Sequence, residues 1–270
     1  MGPIGIFDSG IGGLTVARAA CDLLPHESIL YFGDTAHLPY GEKSPELIRR
    51  YSTRIALHLV NSGCKAIVVA CNSASSNALE QVRETVGDSI PVIDMVHPVV
   101  DSLYTCATSQ TVGLIGTRAT ISSGLYDKAV AQRNENSKTQ VQIHPRPTPL
   151  LASAIEEGFY NDTIPGAVLE AYLSDGYFND IDSIILGCTH YPLVSEEVKK
   201  LLPSQVEVVN SPMIVAQKLK ESLDSLGISN QKNGESPSNR FQVSDLTENF
   251  RLGAQRFFGS DIDLEEVDLL

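Results

Sequence analysis

Short apolar, β-branched runs that alternate with helix-spaced segments constrain this chain more than any other feature. The runs are Ile4 to Phe7, Ile29 to Phe32, Ala66 to Ala70, Val92 to Val96, Val112 to Ile115, Val141 to Ile143, Ser183 to Leu186 and Val206 to Val209. Between them the spacing predicts helices over Leu14 to Leu24, Pro45 to Ser62, Ser75 to Val86, Ser122 to Arg133, Thr163 to Leu173, Pro192 to Leu202 and Met213 to Leu226. Pro45 suits a first helical turn and Gly63 a C-terminal cap. Repeated strand-then-helix units predict an α/β fold of mainly parallel sheets flanked by helices. Nearly continuous apolar strands agree, because such strands are covered on both faces.

The strand ends carry the chemistry. In order they hold Asp8-Ser9, Gly33-Asp34, Cys71-Asn72-Ser73, His97, Gly116-Thr117, Cys188-Thr189-His190 and Asn210-Ser211. Open α/β sheets bind ligands at the carboxyl ends of their strands. Two ends resemble each other: an apolar strand leads into Ala70-Cys71-Asn72-Ser73, and later another leads into Gly187-Cys188-Thr189-His190. The expected organisation is two similar α/β lobes that each contribute one Cys to a cleft between them. The first lobe is expected over residues 1–97 plus 207–270, with a C-terminal extension, and the second over 98–206. Within the extension, Gly227 to Arg240 reads as a loop. Asp245 with Glu248 three residues on resembles a capping box. The acidic, alternating last ten residues read as a short edge strand.

A length of 270 residues suits two domains. A net charge of −13 disfavours a surface that tracks phosphates, so nucleic acid is not an expected partner. With 42% apolar and 20% charged residues the composition is that of a folded protein and not of a disordered one. No run approaches a membrane span, and nothing at the start reads as a signal peptide or a myristoylation site. Five Cys, an odd and sparse set, argue against a disulfide framework and for a reducing cytoplasm.

A thiol at a strand end, just before a helix, faces a cleft near a positive helix-end dipole, which favours thiolate. Cys71 and Cys188 fit that setting, whereas Cys21, Cys64 and Cys106 read as packing. Three chemistries are open to the pair. A metal site lacks a Cys-x-x-Cys pair or a second nearby His. A Cys–His hydrolase with His190 as base uses one thiol and leaves the other idle. Acid and base work from both faces of one carbon, as a racemase requires, uses both, and the twin placement matches that symmetry. A single strand-end Cys reads as core, but two in matching positions point to function. Gly10-Ile11-Gly12-Gly13 does not match a dinucleotide loop, and Asp8 would repel a pyrophosphate. These glycines are expected to allow a sharp turn beside a small ligand.

Several segments together resemble glutamate racemases, within the aspartate/glutamate racemase superfamily. They are Ile4 to Val16, Tyr31 to Thr35 with Pro39-Tyr40-Gly41, Val69 to Ser75, Gly113 to Thr117 and Ile185 to Leu193. The order is right and the resemblance covers about residues 4 to 226. It implies cofactor-independent interconversion of L- and D-glutamate, supplying D-glutamate for peptidoglycan. It implies Cys71 and Cys188 as the acid/base thiols, Asp8 assisting Cys71, and His190 assisting Cys188. Ser9, Tyr40, Gly41, Asn72, Ser73 and Thr189 are implied as substrate contacts together with Asp8 and His190, with Asp34 in a supporting place. The family glutamate, implied as a further catalytic residue, falls at Glu156, with Glu157 the alternative, in a segment, Thr148 to Gly158, that lacks the Cys and second Pro usual there. Expected partners are glutamate, a second copy of the chain in a homodimer and a nucleotide-sugar regulator, with no cofactor and no metal. His190, where aspartate racemases tend to carry an acidic residue, favours glutamate. The alternatives are an aspartate or other amino-acid racemase or decarboxylase of the superfamily, or a non-catalytic binding protein on the same scaffold.

Overall fold

All eight apolar runs become strands, and two more strands follow near the C-terminus. The computed structural model describes residues 2–105, 108–158, 163–230 and 237–269. Cys106 lies outside the described residues. One sheet contains β1 (Ile4–Asp8), β2 (Ile29–Gly33), β3 (Ala66–Val69), β4 (Val92–Asp94), β9 (Arg240–Val243) and β10 (Leu264–Glu266), in the order β10-β9-β2-β1-β3-β4. The other contains β5 (Gln110–Gly116), β6 (Val141–Pro147), β7 (Ser183–Gly187) and β8 (Glu207–Val209), in the order β6-β5-β7-β8. Every described pairing is parallel.

The four strands β2-β1-β3-β4 and the four strands β6-β5-β7-β8 follow the same order within their own lobes. Cys71 follows the third strand of the first set and Cys188 the third strand of the second. The likeness of the two Cys segments in sequence is therefore a topological likeness. The central strands β1, β2, β3 and β7 are buried throughout, as strands covered on both faces must be.

The helices are α1 (Leu14–Leu23), α2 (Pro45–Asn61), α3 (Asn72–Val86), α4 (His97–Ser102), α5 (Arg118–Ser122), α6 (Leu125–Glu135), α7 (Pro149–Glu156), α8 (Thr163–Leu173), α9 (Ser195–Leu201), α10 (Ser211–Ser225) and α11 (Glu248–Phe258). Ser44 caps α2 through Leu47 N, Pro45 opens its first turn, and Gly63 takes the left-handed conformation past its end.

Several expectations are corrected. The helix predicted over Ser122 to Arg133 starts later, as α6 at Leu125, because Gly124 at φ +64° separates it from α5, a short helix that ends at Ser122. The one predicted from Pro192 begins as a 3-10 turn, Tyr191–Val194, before α9. Strand β6 runs four residues past Ile143, through Pro145 and Pro147. It is an edge strand, where a missing N–H leaves no central ladder broken. The cap of α11 is Thr247, whose Oγ1 accepts from Phe250 N, and not Asp245. The return to the first lobe does not start at residue 207, because Glu207–Val209 pairs with β7 in the second sheet. It comes with α10, which packs on α1. Helices α4 and α7 stand where no helix was predicted.

The C-terminal extension completes the first sheet: β9 pairs with β2, and β10 forms the edge beyond it. His58 Nε2 meets Gln242 Oε1 at 2.8 Å, tying α2 to β9. Cys64 is buried among core residues, and burial pushes its thiol up to about 12. Cys21 is half-buried on α1. No described helix is long and apolar enough to cross a membrane.

Candidate active site

Both strand-end thiols line one cavity. Ser9, Gly10, Tyr40, Gly41, Cys71, Asn72 and Ser73 come to it from the first lobe, and Thr117, Glu156, Cys188, Thr189 and His190 from the second. Strand ends supply most of them. Asp8 does not line the cavity; it lies directly behind Ser9 and is fully buried. Glu156 reaches the cavity and Glu157 does not.

The Cys71 side starts where β3 hands over to α3. Cys71 is the N-cap residue, extended at φ −128° and ψ 120°, and its Sγ accepts from Ala74 N at 3.5 Å. It stands where Ser or Thr more often caps a helix. Its S–H donates to Ser9 Oγ at 3.7 Å. Burial pushes this thiol well up, and the Asp8 charge adds to that, against the amide of Ala74 and the contact with Ser9. The sequence expectation for this strand-end setting is a lowered thiol; here burial and the Asp8 charge raise it.

Asp8 Oδ2 accepts from Gly13 N at 2.9 Å and Gly10 N at 3.2 Å, while Oδ1 has no hydrogen-bond partner among the described residues. Asp8 thus reaches the start of α1, because the loop folds back on it. Burial raises its carboxyl above the usual range, opposed by His190 and the loop amides. Gly10, Gly12 and Gly13 do not adopt positive φ. They are needed for close approach instead. A Cβ on Gly13 would lie 2.4 Å from Asp8 Cβ, and one on Gly12 would lie 2.4 Å from Thr189 Oγ1.

In the second lobe, the chain leaves β7 through Cys188 into the turn at Tyr191–Val194. Cys188 thus does not cap an α-helix. Its partner is His190, with Nδ1 3.6 Å from Sγ. His190 Nε2 lies 3.6 Å from Glu156 Oε2, an ion-pair separation just beyond hydrogen-bond reach. Burial opposes the imidazolium, yet Cys188 and Glu156 together raise the His190 pKa well above its ordinary value. The ring makes no capping bond to the following turn. Tyr191 anchors the turn from below, its hydroxyl 2.7 Å from Thr148 Oγ1.

Polar groups surround the space between the thiols. Asn72 Oδ1 accepts from Tyr126 OH at 2.8 Å, which leaves its Nδ2 without a hydrogen-bond partner among the described residues, beside the cavity. Ser73 Oγ lies 2.9 Å from Thr117 Oγ1. The N-terminus of α3 adds backbone N–H groups and a positive dipole end, an arrangement that suits a carboxylate. Tyr40 OH donates to Asp34 Oδ2 at 2.5 Å, and Asp34 Oδ1 also receives Ser244 Oγ at 2.9 Å. Asp34 thus stands behind Tyr40 and outside the cavity lining. Burial pushes the Tyr40 phenol far up, so it stays a donor. Gly41 abuts Thr117 so closely that a Cβ there would lie 2.7 Å from Thr117 Cβ.

Thr117 and Ser153 line the cavity without having been singled out as site residues. Thr117 ends β5, so the strand-end rule applied to it, whereas Ser153 sits on α7, which carried no sequence signal. The C-terminal extension also reaches the site: Phe257 on α11 lies against His190, ring centroids 5.3 Å apart and planes at 78°.

A family profile described as Asp/Glu/hydantoin racemase matches residues 15–219. The glutamate racemase of Beutenbergia cavernae is 40% identical over 97% of this chain and 91% of its own length. The crystal structure of Francisella tularensis glutamate racemase in complex with D-glutamate matches with a TM-score of 0.90 and 36% identity, over 99% of this chain and 98% of that one. Escherichia coli glutamate racemase, solved in complex with L-glutamate and the activator UDP-MurNAc-ala, matches with a TM-score of 0.76 and 25% identity over 100% of both chains.

Proposed function

The chain belongs to the Asp/Glu/hydantoin racemase family, and from that premise we propose that it interconverts L- and D-glutamate with Cys71 and Cys188 as paired acid and base. One observation carries the reading: two thiols at topologically equivalent strand ends, one from each lobe, line a single cavity. Their local partners differ, Asp8 with Ser9 on one side and His190 with Glu156 on the other.

The reaction needs one thiolate and one thiol. The thiolate removes the α-proton from one face, and the electron pair moves into the substrate carboxylate. The opposite thiol then delivers its proton to the other face, so the two sulfurs leave with exchanged protonation states. Burial raises the thiol at Cys71, so a base must take its proton as the substrate enters; Asp8, with a raised carboxyl and a free Oδ1, suits that task. At Cys188 the imidazole of His190 plays the corresponding part. Charge that develops on the carboxylate is met by the α3 amides, Asn72 Nδ2 and the hydroxyls of Ser73, Thr117, Thr189 and Ser9. Fixed donors of this kind are each worth about 3 kcal/mol of barrier.

The reading extends to D-glutamate supply for peptidoglycan in the cytoplasm, to a homodimer and to regulation by a nucleotide sugar. The regulator is supported by the E. coli neighbour and its activator. The test is incorporation of deuterium at Cα from heavy water, starting from each pure enantiomer. Wild type is expected to exchange and racemise both. Cys71→Ser and Cys188→Ser are each expected to lose racemisation by at least about a thousandfold, and full activity in both variants would overturn the two-thiol reading.

A further inference from the structure

The C-terminal helix α11 stands outside the segments that carry the family resemblance, yet one of its side chains touches the catalytic histidine. Phe257 is buried, and its ring lies at 78° to that of His190 with centroids 5.3 Å apart. On another side the imidazole is confined by Gly12, where a Cβ would come within 2.6 Å of Nδ1. Of its polar neighbours, Cys188 Sγ lies 3.6 Å from Nδ1, a long hydrogen bond to sulfur, and Glu156 Oε2 lies 3.6 Å from Nε2, just beyond hydrogen-bond reach. One long bond leaves the ring free to tilt about it, so packing shares in setting the direction in which Nδ1 points.

The helix that carries Phe257 is itself held in place. Arg18 Nη1 on α1 donates to Phe258 O at 2.6 Å, at the C-terminal end of α11. Gly253 faces Ile11 so closely that a Cβ there would lie 2.6 Å from Ile11 Cδ1. Ile11 belongs to the same loop as Gly12, so one loop grips both the ring and the helix behind the ring.

We propose that Phe257 is a positioning residue that holds the His190 imidazole aimed at Cys188, so that the C-terminal extension controls the Cys188 half of the reaction and leaves the Cys71 half alone. This inference rests on the two-thiol reading. An aromatic contact of this geometry has a definite angular preference. Losing it frees a ring that must stay aligned for proton transfer, where small misplacement is costly.

The experiment compares Phe257→Leu with Phe258→Leu. Phe258 is buried next door, packs on Phe241 at 4.9 Å, and makes no ring contact with His190 among the described residues. Both variants lose core packing, so stability loss is common to the pair. Enantiomers have equal free energies in water, so kcat/KM must stay equal in the two directions and cannot report an asymmetry. Primary isotope effects with α-deuterated D- and L-glutamate can. In Phe257→Leu, kcat/KM is expected to fall about ten- to a hundredfold in both directions. The isotope effect should rise for the enantiomer that Cys188 deprotonates and fall for the other, in the same sense as in His190→Asn. Phe258→Leu should show neither shift. Isotope effects that stay put in Phe257→Leu, or move alike in both Phe variants, would overturn the proposal.

A second readout needs no turnover. The pH profile of Cys188 alkylation by iodoacetamide, read by mass spectrometry, should shift in Phe257→Leu while that of Cys71 does not. An unshifted Cys188 profile would count against the proposal even if wild type failed to racemise glutamate, an outcome that would overturn the functional reading instead.

Discussion

Gly12 in the first lobe and His190 in the second fit together with no room for a methyl group: a Cβ on Gly12 would lie 2.6 Å from His190 Nδ1. The glycine-rich loop after β1 is therefore a cast of the residues after β7. Gly12→Ala must push the Thr189–His190 segment away from the cavity. Such overpacking costs about 1–3 kcal/mol of stability, and loss of alignment at His190 is expected to lower kcat by about a hundredfold. Thermal melting with steady-state kinetics in both directions checks this.

Tyr126 fixes Asn72 from outside the cavity, through a 2.8 Å bond to Oδ1 that leaves Nδ2 free to donate. Tyr126→Phe removes that bond without changing the packing volume. The expected stability loss is about 1–2 kcal/mol. The amide is then free to flip, and KM for both enantiomers should rise more than kcat falls. Unchanged KM in both directions would show that Asn72 does not contact the substrate.

Behind the cavity, Asp34 is a buried carboxylate that accepts from Tyr40 at 2.5 Å and Ser244 at 2.9 Å, with His37 Nδ1 2.8 Å away. Tyr40→Phe leaves one of its oxygens without that donor. The cost is expected to be about 1.5–3 kcal/mol, the range for hydrogen bonds to charged groups. Chemical denaturation measures it, and Ser244→Ala should add a similar loss because the Ser reaches the other carboxylate oxygen.

The His97–Asp94 pair at the end of β4 makes stability depend on pH. Burial works against the Asp94 anion, but hydrogen bonds from the His97 ring and from the backbone N–H groups of His97 and Val96 outweigh it and lower its pKa. The His97 pKa is raised, first by its bond to Asp94, against burial and Arg83 and with help from Asp101. A lowered Asp94 gives stability that is present above its unfolded value of 3.8 and lost as pH falls through its folded one. A raised His97 gives stability that is complete below its unfolded value of 6.5 and lost as pH rises through its folded one. Melting temperature should therefore decline on both flanks of a window between those two residues' titrations. In His97→Gln the alkaline decline should be lost and the acid one should shrink, because Asp94 loses the ring that lowers its pKa.

The amino-acid sequence alone determined which segments are strands, because burial on both faces demands unbroken apolar runs. It also placed the chemistry at strand ends and marked Cys71 and Cys188 as twins. Most of the cavity residues were legible for that reason: Ser9, Asn72, Ser73, Thr189 and His190 lie within two residues of a strand end or of a twin Cys. Helices α4 and α7 were not legible, and with α7 went Ser153, because short helices after Pro carry too few residues for a period to register. Gly124 hid a break for a similar reason, since a single left-handed residue interrupts a helix without altering its composition.

Only the tertiary structure decided the rest. The protonation tendency of Cys71 turned on burial and on Asp8, and not on the helix end that its local sequence advertises. Edge position allowed β6 to run on through two prolines. The extension beyond residue 226, read in sequence as a loop, a capped helix and an edge strand of the first lobe, was seen only in three dimensions to finish the first sheet and to bring Phe257 to His190. Each of these depends on which segments the fold brings together, and contact between residues far apart along the chain leaves no periodic mark on either segment.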